Sequence, residues 1–328
     1  MTKSIFTKAL ALTAGVVASG ALMAQSAIDY PNKPVTVVVG YSAGGATDRV
    51  ARIIARELTT QTGQPFIVEN RPGANSNIAA AQVAGAAPDG YTIFVGSVAN
   101  TISRSLYSNL QYDLFDDLTP VVLLTTISNI LVVNPSLPVN NIQEYVAYAK
   151  ANPGKLTCAS SGVGSSIHLS CELFKMKTGT DILHVAYRGS APAVTDLVGG
   201  QVDSMFDNLP SALPQIRAGN LRALAVTAGE PVPFAPGVPT AIAEGIEGFE
   251  VTSWFGFYLP TGTPQAIVDI LNTEVNKALQ SPITIQAYEE AGFLMPQAPN
   301  SQADLVKQTR DEVEKWQAVI ETANLKMD

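Results

Sequence analysis

Two runs of small residues carry the chemistry open to this sequence. Residues 41–45 read YSAGG and residues 160–166 read SSGVGSS; each follows a strand-like run and precedes an amphipathic helical run. Glycines such as Gly44 and Gly45 let the backbone approach a ligand closely. The helix that follows each loop offers its first N–H groups and the positive end of its dipole. That combination is an anion site that needs no basic side chain. Either loop alone also reads as an ordinary turn between strand and helix. Two of them, about 120 residues apart, point to two domains facing one small acidic solute.

Polar side chains near these loops have competing readings. Ser161, Ser165 and Ser166 can donate hydroxyl hydrogen bonds to a carboxylate, or cap the helix. Asp48 reads as a cap or loop brace; it could contact an acidic ligand only through water, an amine or a proton. His168, alone in the first turn of a helix, reads as structural. Arg188 is the candidate for a bidentate grip on a carboxylate, against the plainer reading of a solvated surface arginine. Asp207 and Asn208 close an apolar strand at the edge where α/β ligands sit; Asp207 suits a ligand ammonium or hydroxyl. Trp254 and Phe255 read as hinge-strand core.

Catalytic readings fail on spacing. Ser165 and His168 lie three apart on one helix, and no GxSxG elbow is present, so a hydrolase is a remote alternative. Cys158 with His184 does not read as a thiol enzyme, because Cys158 sits in a strand. With two histidines in all and no CxxC, neither a metal nor a cofactor is expected. The chain is therefore expected not to be an enzyme.

These residues need a scaffold of two cores. The chain has 328 residues, 46% hydrophobic and 15% charged, which exceeds the usual span of one core. A net charge of -8 without a basic stripe excludes nucleic acid as a partner. Lys3 and Lys8, the apolar run 9–18 and the small residues around Ala24 and Ala27 read as a cleaved export signal covering 1–24. The mature protein is expected in the periplasm, with a monomer as its simplest state. In that oxidising compartment Cys158 and Cys171 are expected to form a disulfide that staples the second loop, the other reading being two buried free thiols.

Strands and helices alternate along the chain, which predicts a parallel-sheet α/β organisation. The segments 35–39, 65–69 and 91–96 read as strands. Residues 121–133 read as two strands in succession, VVLLTT and NILVV, crossing from domain one to domain two. The proline-rich stretch 230–239 reads as a link, and 249–259 as the strand that returns. Amphipathic helices at 266–280 and 302–323 then pack back onto domain one. Lobe one is thus expected over 28–124 and 252–328, and lobe two over 125–251.

The motifs YSAGGATDRVAR, VENRPGA, APDGYT, HLSCELFKMKTGT, HVAYRGSAPAVTDLVGGQVDSMFDN and GTPQAIVDILN occur in this order over nearly the whole chain. In these the sequence resembles the Bug family, the receptors of tripartite tricarboxylate transporters. The resemblance implies a class II periplasmic binding-protein fold, an α/β architecture of two lobes joined by two crossover segments. It also implies a receptor that closes on a small carboxylate (a di- or tricarboxylate, amino acid or aromatic acid) and delivers it to membrane permease subunits. A loaded receptor that docks onto a signalling ectodomain would use the same surface. Carried over by position, the resemblance nominates Tyr41, Ser42, Ala43, Gly44, Gly45 and Asp48 in lobe one. In lobe two it nominates Ser161, Gly162, Gly164, Ser165, Ser166 and His168, with 187–189 and 206–208 lining the far side. The sequence departs from the family at Ala74, Asn75 and Ser76, where a glycine pair is common, and in the stretch VGSVANTIS at 95–103.

Overall fold

The computed structural model describes residues 29–322; the expected export signal lies outside them. Lobe one starts with β1 (Val35–Val39), whose β-branched residues suit a buried strand. Helix α1 (Ala46–Thr62) buries Val50, Ile54 and Leu58 on one face and ends at Gly63, which takes the left-handed conformation that closes helices. There follow β2 (Phe66–Asn70), α2 (Asn77–Ala84), β3 (Thr92–Ser97) and α3 (Val98–Leu106). β1 pairs in parallel with β2 and with β3.

Strand β4 (Leu118–Val133) is a single strand of 16 residues rather than the two expected. From Leu118 to Ser128 it pairs antiparallel with β9 (Thr252–Pro260), and from Asn129 to Val133 with β7 (Ser204–Asn208). The polar residues Thr125, Thr126, Ser128 and Asn129, which break the apolar pattern, stay in the ladder because a partner strand meets them at every step. Register shifts near Val122 and Thr125 bend the strand without ending it.

Lobe two comprises α4 (Ile142–Ala151), β5 (Thr157–Ser160), α5 (Ser166–Thr178), β6 (Leu183–Ala186), α6 (Ser190–Val198), β7, α7 (Leu209–Arg217) and β8 (Arg222–Val226). β5 pairs in parallel with β6 and β7, while β8 flanks β4. The chain returns to lobe one through β9, α8 (Gln265–Leu279), α9 (Pro282–Ala291) and α10 (Gln302–Thr322). The result is an α/β fold of two lobes joined by two crossovers. Thr227 ties the crossings together: its Oγ1 accepts from the Asn129 N–H at 3.0 Å and donates to the Val251 carbonyl at 2.5 Å.

Each lobe packs apolar side chains on both faces of its sheet. In lobe two, Phe174, Phe206 and Phe249 contact one another at 5.2–5.9 Å between ring centres. Cys158 and Cys171 belong to this cluster as free, buried thiols, which corrects the expected disulfide. Cys171 on α5 faces Cys158 on β5, and burial together with that neighbour holds its thiol protonated. Both act here as small apolar side chains. The adjoining loop needs no staple, since hydrogen bonds described below already fix it.

Candidate functional site

The first loop is braced from behind. Gly44 adopts φ +92, which favours glycine, and its N–H donates to Asp48 Oδ2 at 2.9 Å. Arg52 Nε also donates to Oδ2, and Asn70 Nδ2 donates to Oδ1. Burial pushes the Asp48 carboxyl up, but these bonds and the Arg52 charge win and hold it below the usual range. Asp48 is therefore an ionised brace with both oxygens engaged. Gly45 caps α1 without a side-chain bond, so the first N–H groups of the helix remain open.

The second loop is held by serine and histidine. Ser165 Oγ accepts from the His168 N–H at 3.1 Å and donates to the Gly162 carbonyl at 2.7 Å. The Gly164 N–H donates to His168 Nδ1 at 3.1 Å. Burial, then the neighbouring His184, pushes His168 down to about 3, so the ring is neutral and can accept that bond. The two rings lie 4.1 Å apart, and His184 Nε2 bonds Ser160 Oγ at 2.6 Å.

Three further helices begin at the same place. α3 carries a capping box, in which Ser97 Oγ accepts from the Ala99 N–H and Asn100 Oδ1 from the Ser97 N–H. α6 follows Gly189, which adds no side-chain cap. α7 follows Asn208, whose amide donates to Asn129 Oδ1 at 2.6 Å.

Between these helix starts lies a small cavity of about 20 Å³. Lobe one lines it with Tyr41, Gly45, Ala46 and Thr47 from the first loop and α1, with Ser97, Val98 and Ala99 from α3, and with Ser253 and Phe255 from β9. Lobe two contributes Ser161, Ser165, Ser166, Ser190 and Asn208. Among the described residues, no charged side chain lines it. Burial raises the Tyr41 phenol, so it stays a neutral hydroxyl, donating to Asn75 Oδ1 at 3.0 Å. Five helix N-termini thus converge on a cavity furnished with hydroxyls, amides and backbone donors.

The lobes are closed over it. The Ser42 N–H donates to the Arg188 carbonyl at 3.1 Å, the Tyr107 hydroxyl to the Val163 carbonyl at 3.2 Å, and Arg49 to the Pro210 carbonyl at 2.8 Å. Glycines make the approach possible. A Cβ on Gly189 would lie 2.3 Å from Ser42 Oγ, and one on Gly164 would lie 2.9 Å from Leu106 Cδ2.

Of the residues nominated from sequence, Tyr41, Gly45, Ser161, Ser165, Ser166 and Asn208 line the cavity. Gly44, Asp48, Gly162, Gly164 and His168 shape the loops behind it, and Ala43 sits exposed at the rim. Ser42 spends its N–H on the cross-lobe bond. The Arg188 side chain is exposed and outside the lining; its carbonyl, not its guanidinium, joins the site. Asp207 is buried behind the wall, beside Ser190. Sequence reasoning missed the start of α3, whose signal was the capping spacing of Ser97 and Asn100 after a strand. It also missed Ser190 and Ser253; Phe255, read as hinge-strand core, is buried in the lobe-one core and also borders the cavity.

Comparison with known proteins supplies a family. A sequence model described as "Tripartite tricarboxylate transporter family receptor" matches residues 50–325. A Pseudomonas sp. (strain P51) protein, named only as a UPF0065 protein in the tcbD-tcbE intergenic region, is 42% identical over 299 residues, covering 90% of this chain and 88% of that one. The structure of R. palustris Rpa4515 with adipate superposes with a TM-score of 0.88 at 38% identity, covering 91% of this chain and 100% of the other. The periplasmic binding protein BugD superposes with a TM-score of 0.88 at 34% identity and the same coverage.

Proposed function

This chain belongs to the tripartite tricarboxylate transporter family of receptors, and on that premise we propose that it captures a small carboxylate between its lobes and delivers it to the membrane subunits of such a transporter. The family is one of periplasmic solute-binding receptors, not enzymes, and the fold is that of periplasmic binding proteins. The observation that carries the ligand class is the convergence of five helix N-termini, two from lobe one and three from lobe two, on a cavity without a charged side chain. Each N-terminus carries a partial positive charge, and those of α1, α6 and α7 have no side-chain cap. The adipate bound to Rpa4515 is a ligand of this class.

Lobe closure supplies the mechanism. A carboxylate that accepts hydrogen bonds from α1 and α3 on one side and from α5, α6 or α7 on the other completes its contacts only when the lobes meet. It therefore binds the closed form better and shifts the population toward it. We place the flexing points where β4 changes partners, at Ser128 and Asn129, and where the return chain passes Val251 and Thr252. The closed face is then the surface offered to the membrane subunits. No covalent step, metal or cofactor enters this scheme.

A thermal-shift screen of the mature protein tests the reading, using mono-, di- and tricarboxylates, aromatic acids and acidic amino acids with matched salt controls. Binding to the native state raises the unfolding midpoint. A shift confined to one acid class supports the proposal and names the solute. No shift with any acid, and no small acid released from denatured protein by mass spectrometry, defeats it. We further propose that residues 1–24 direct export; the exported protein should then begin close to residue 25, which N-terminal sequencing reads directly.

A further inference from the structure

Asp207 is the charged residue that this scheme leaves without a task. It precedes Asn208 at the end of β7, and its side chain is 0% exposed. Neither carboxylate oxygen has a hydrogen-bond partner of good geometry. The polar groups that act on it are the hydroxyls of Ser190 on α6 and Ser211 on α7, and the N–H of Asn208; none of them carries a charge. A buried carboxylate without a counter-charge is costly to fold around, and an unsatisfied buried group calls for an explanation.

Ser190 supplies one, because it belongs to both places. It lines the cavity and lies beside the Asp207 carboxylate. A serine hydroxyl has one hydrogen to give. Turned toward Asp207, that hydrogen leaves only oxygen lone pairs facing the cavity. The wall at Ser190 then accepts hydrogen bonds, in a cavity whose other groups mostly donate them. A plain carboxylate finds nothing to bond there, and a ligand hydroxyl or ammonium does.

Building on the reading of the cavity as a carboxylate site, we propose that Ser190, polarised by Asp207, forms an acceptor subsite selecting acids that carry a hydroxyl or ammonium group near the bound carboxylate. Asp207 is a positioning residue in this scheme and acts through Ser190. A hydrogen bond to a group backed by a charge discriminates by about 10-fold or more against an analogue lacking the donor.

Calorimetric titration near neutral pH with matched pairs tests the subsite. Suitable pairs are malate and succinate, 2-hydroxyglutarate and glutarate, and mandelate and phenylacetate, with aspartate as the ammonium case. In the native protein the hydroxy or amino member of the pair that fits should bind tighter by about 10-fold or more. Asp207→Asn and Ser190→Ala should each bring that ratio to within about 3-fold, a change that a merely structural role would not produce. Should Asp207→Asn fail to fold, Ser190→Ala, which removes a single oxygen, decides the matter. Acids that bind the native protein with no preference, or a preference that survives Ser190→Ala, overturn the subsite while leaving the receptor reading intact. Failure of every acid to bind overturns the receptor reading and the subsite with it.

Discussion

Gly189→Ala separates closure from folding. Gly189 sits at φ +140, and a Cβ there would lie 2.3 Å from Ser42 Oγ and 3.0 Å from Ser42 N, across the cleft. Two costs follow, and they fall on different observables. The backbone strain of an alanine at that φ, about 1–3 kcal/mol, is present whether the lobes are open or closed, so it lowers the unfolding midpoint of the free protein. The contact with Ser42 exists only in the closed form. The Ser42 hydroxyl can rotate aside, but its backbone nitrogen cannot, because its N–H is bonded to the Arg188 carbonyl. A forced shift of this kind costs about 1–2 kcal/mol. Ligand affinity should therefore fall about 5- to 30-fold beyond any effect on stability. Titration calorimetry on native protein and variant reads the affinity, and thermal unfolding without ligand reads the strain. Pairing the variant with Ser42→Gly, which removes the nearer atom, should recover part of the affinity and none of the midpoint. Unchanged affinity in Gly189→Ala would refute the claim that binding requires the closed arrangement.

Tyr107→Phe deletes the cross-lobe bond to the Val163 carbonyl; titration should show ligand binding weakened by about 2- to 10-fold, with little change in the midpoint of the free protein. Asp207 should make stability fall with rising pH. Its carboxyl is raised to about 6 from 3.8, so the folded state binds the extra proton, and stability present below pH 4 is lost as pH rises through 6. Denaturant titrations should find Asp207→Asn more stable than the native protein above pH 6.5, by up to about 3 kcal/mol, and no different near pH 3. His168 acts in the opposite sense. With its pKa lowered to about 3, its contribution is present above 6.5 and lost as pH falls toward 3. His168→Asn should flatten part of that acid-side loss in the same titrations, with His184, also lowered by burial, supplying the rest.

The two loops were legible in the sequence because their signal is local: β-branched residues, then small residues, then a helical stripe. The start of α3 serves the same cavity but has no small-residue loop before it. Its cue was only the spacing of Ser97 and Asn100, which many ordinary helices share. Long-range pairing explains most other differences. Thr125 to Asn129 look like a break between strands until β9 and β7 are placed beside them. The cysteines lie close in sequence and in space, yet proximity alone does not form a bond. Arg188 shows the limit most clearly. Its type suggested a charged grip on the ligand, but the chain direction after β6 points its side chain to solvent and its carbonyl across the cleft. Phe255 is core, as read from sequence, and with Ser253 two residues before it on the same face of β9 it also borders the cavity.

The central feature of this site is a carboxylate held by helix N-termini from both lobes rather than by charged side chains. A crystal structure of the protein grown with the acid that emerges from the screen tests this most directly. Carboxylate oxygens are expected about 2.7–3.2 Å from backbone nitrogens in the first turn of α1 and, across the cleft, of α5, with no Lys or Arg side chain in contact. A carboxylate paired with a guanidinium such as that of Arg188, or lying outside the cavity, would contradict it.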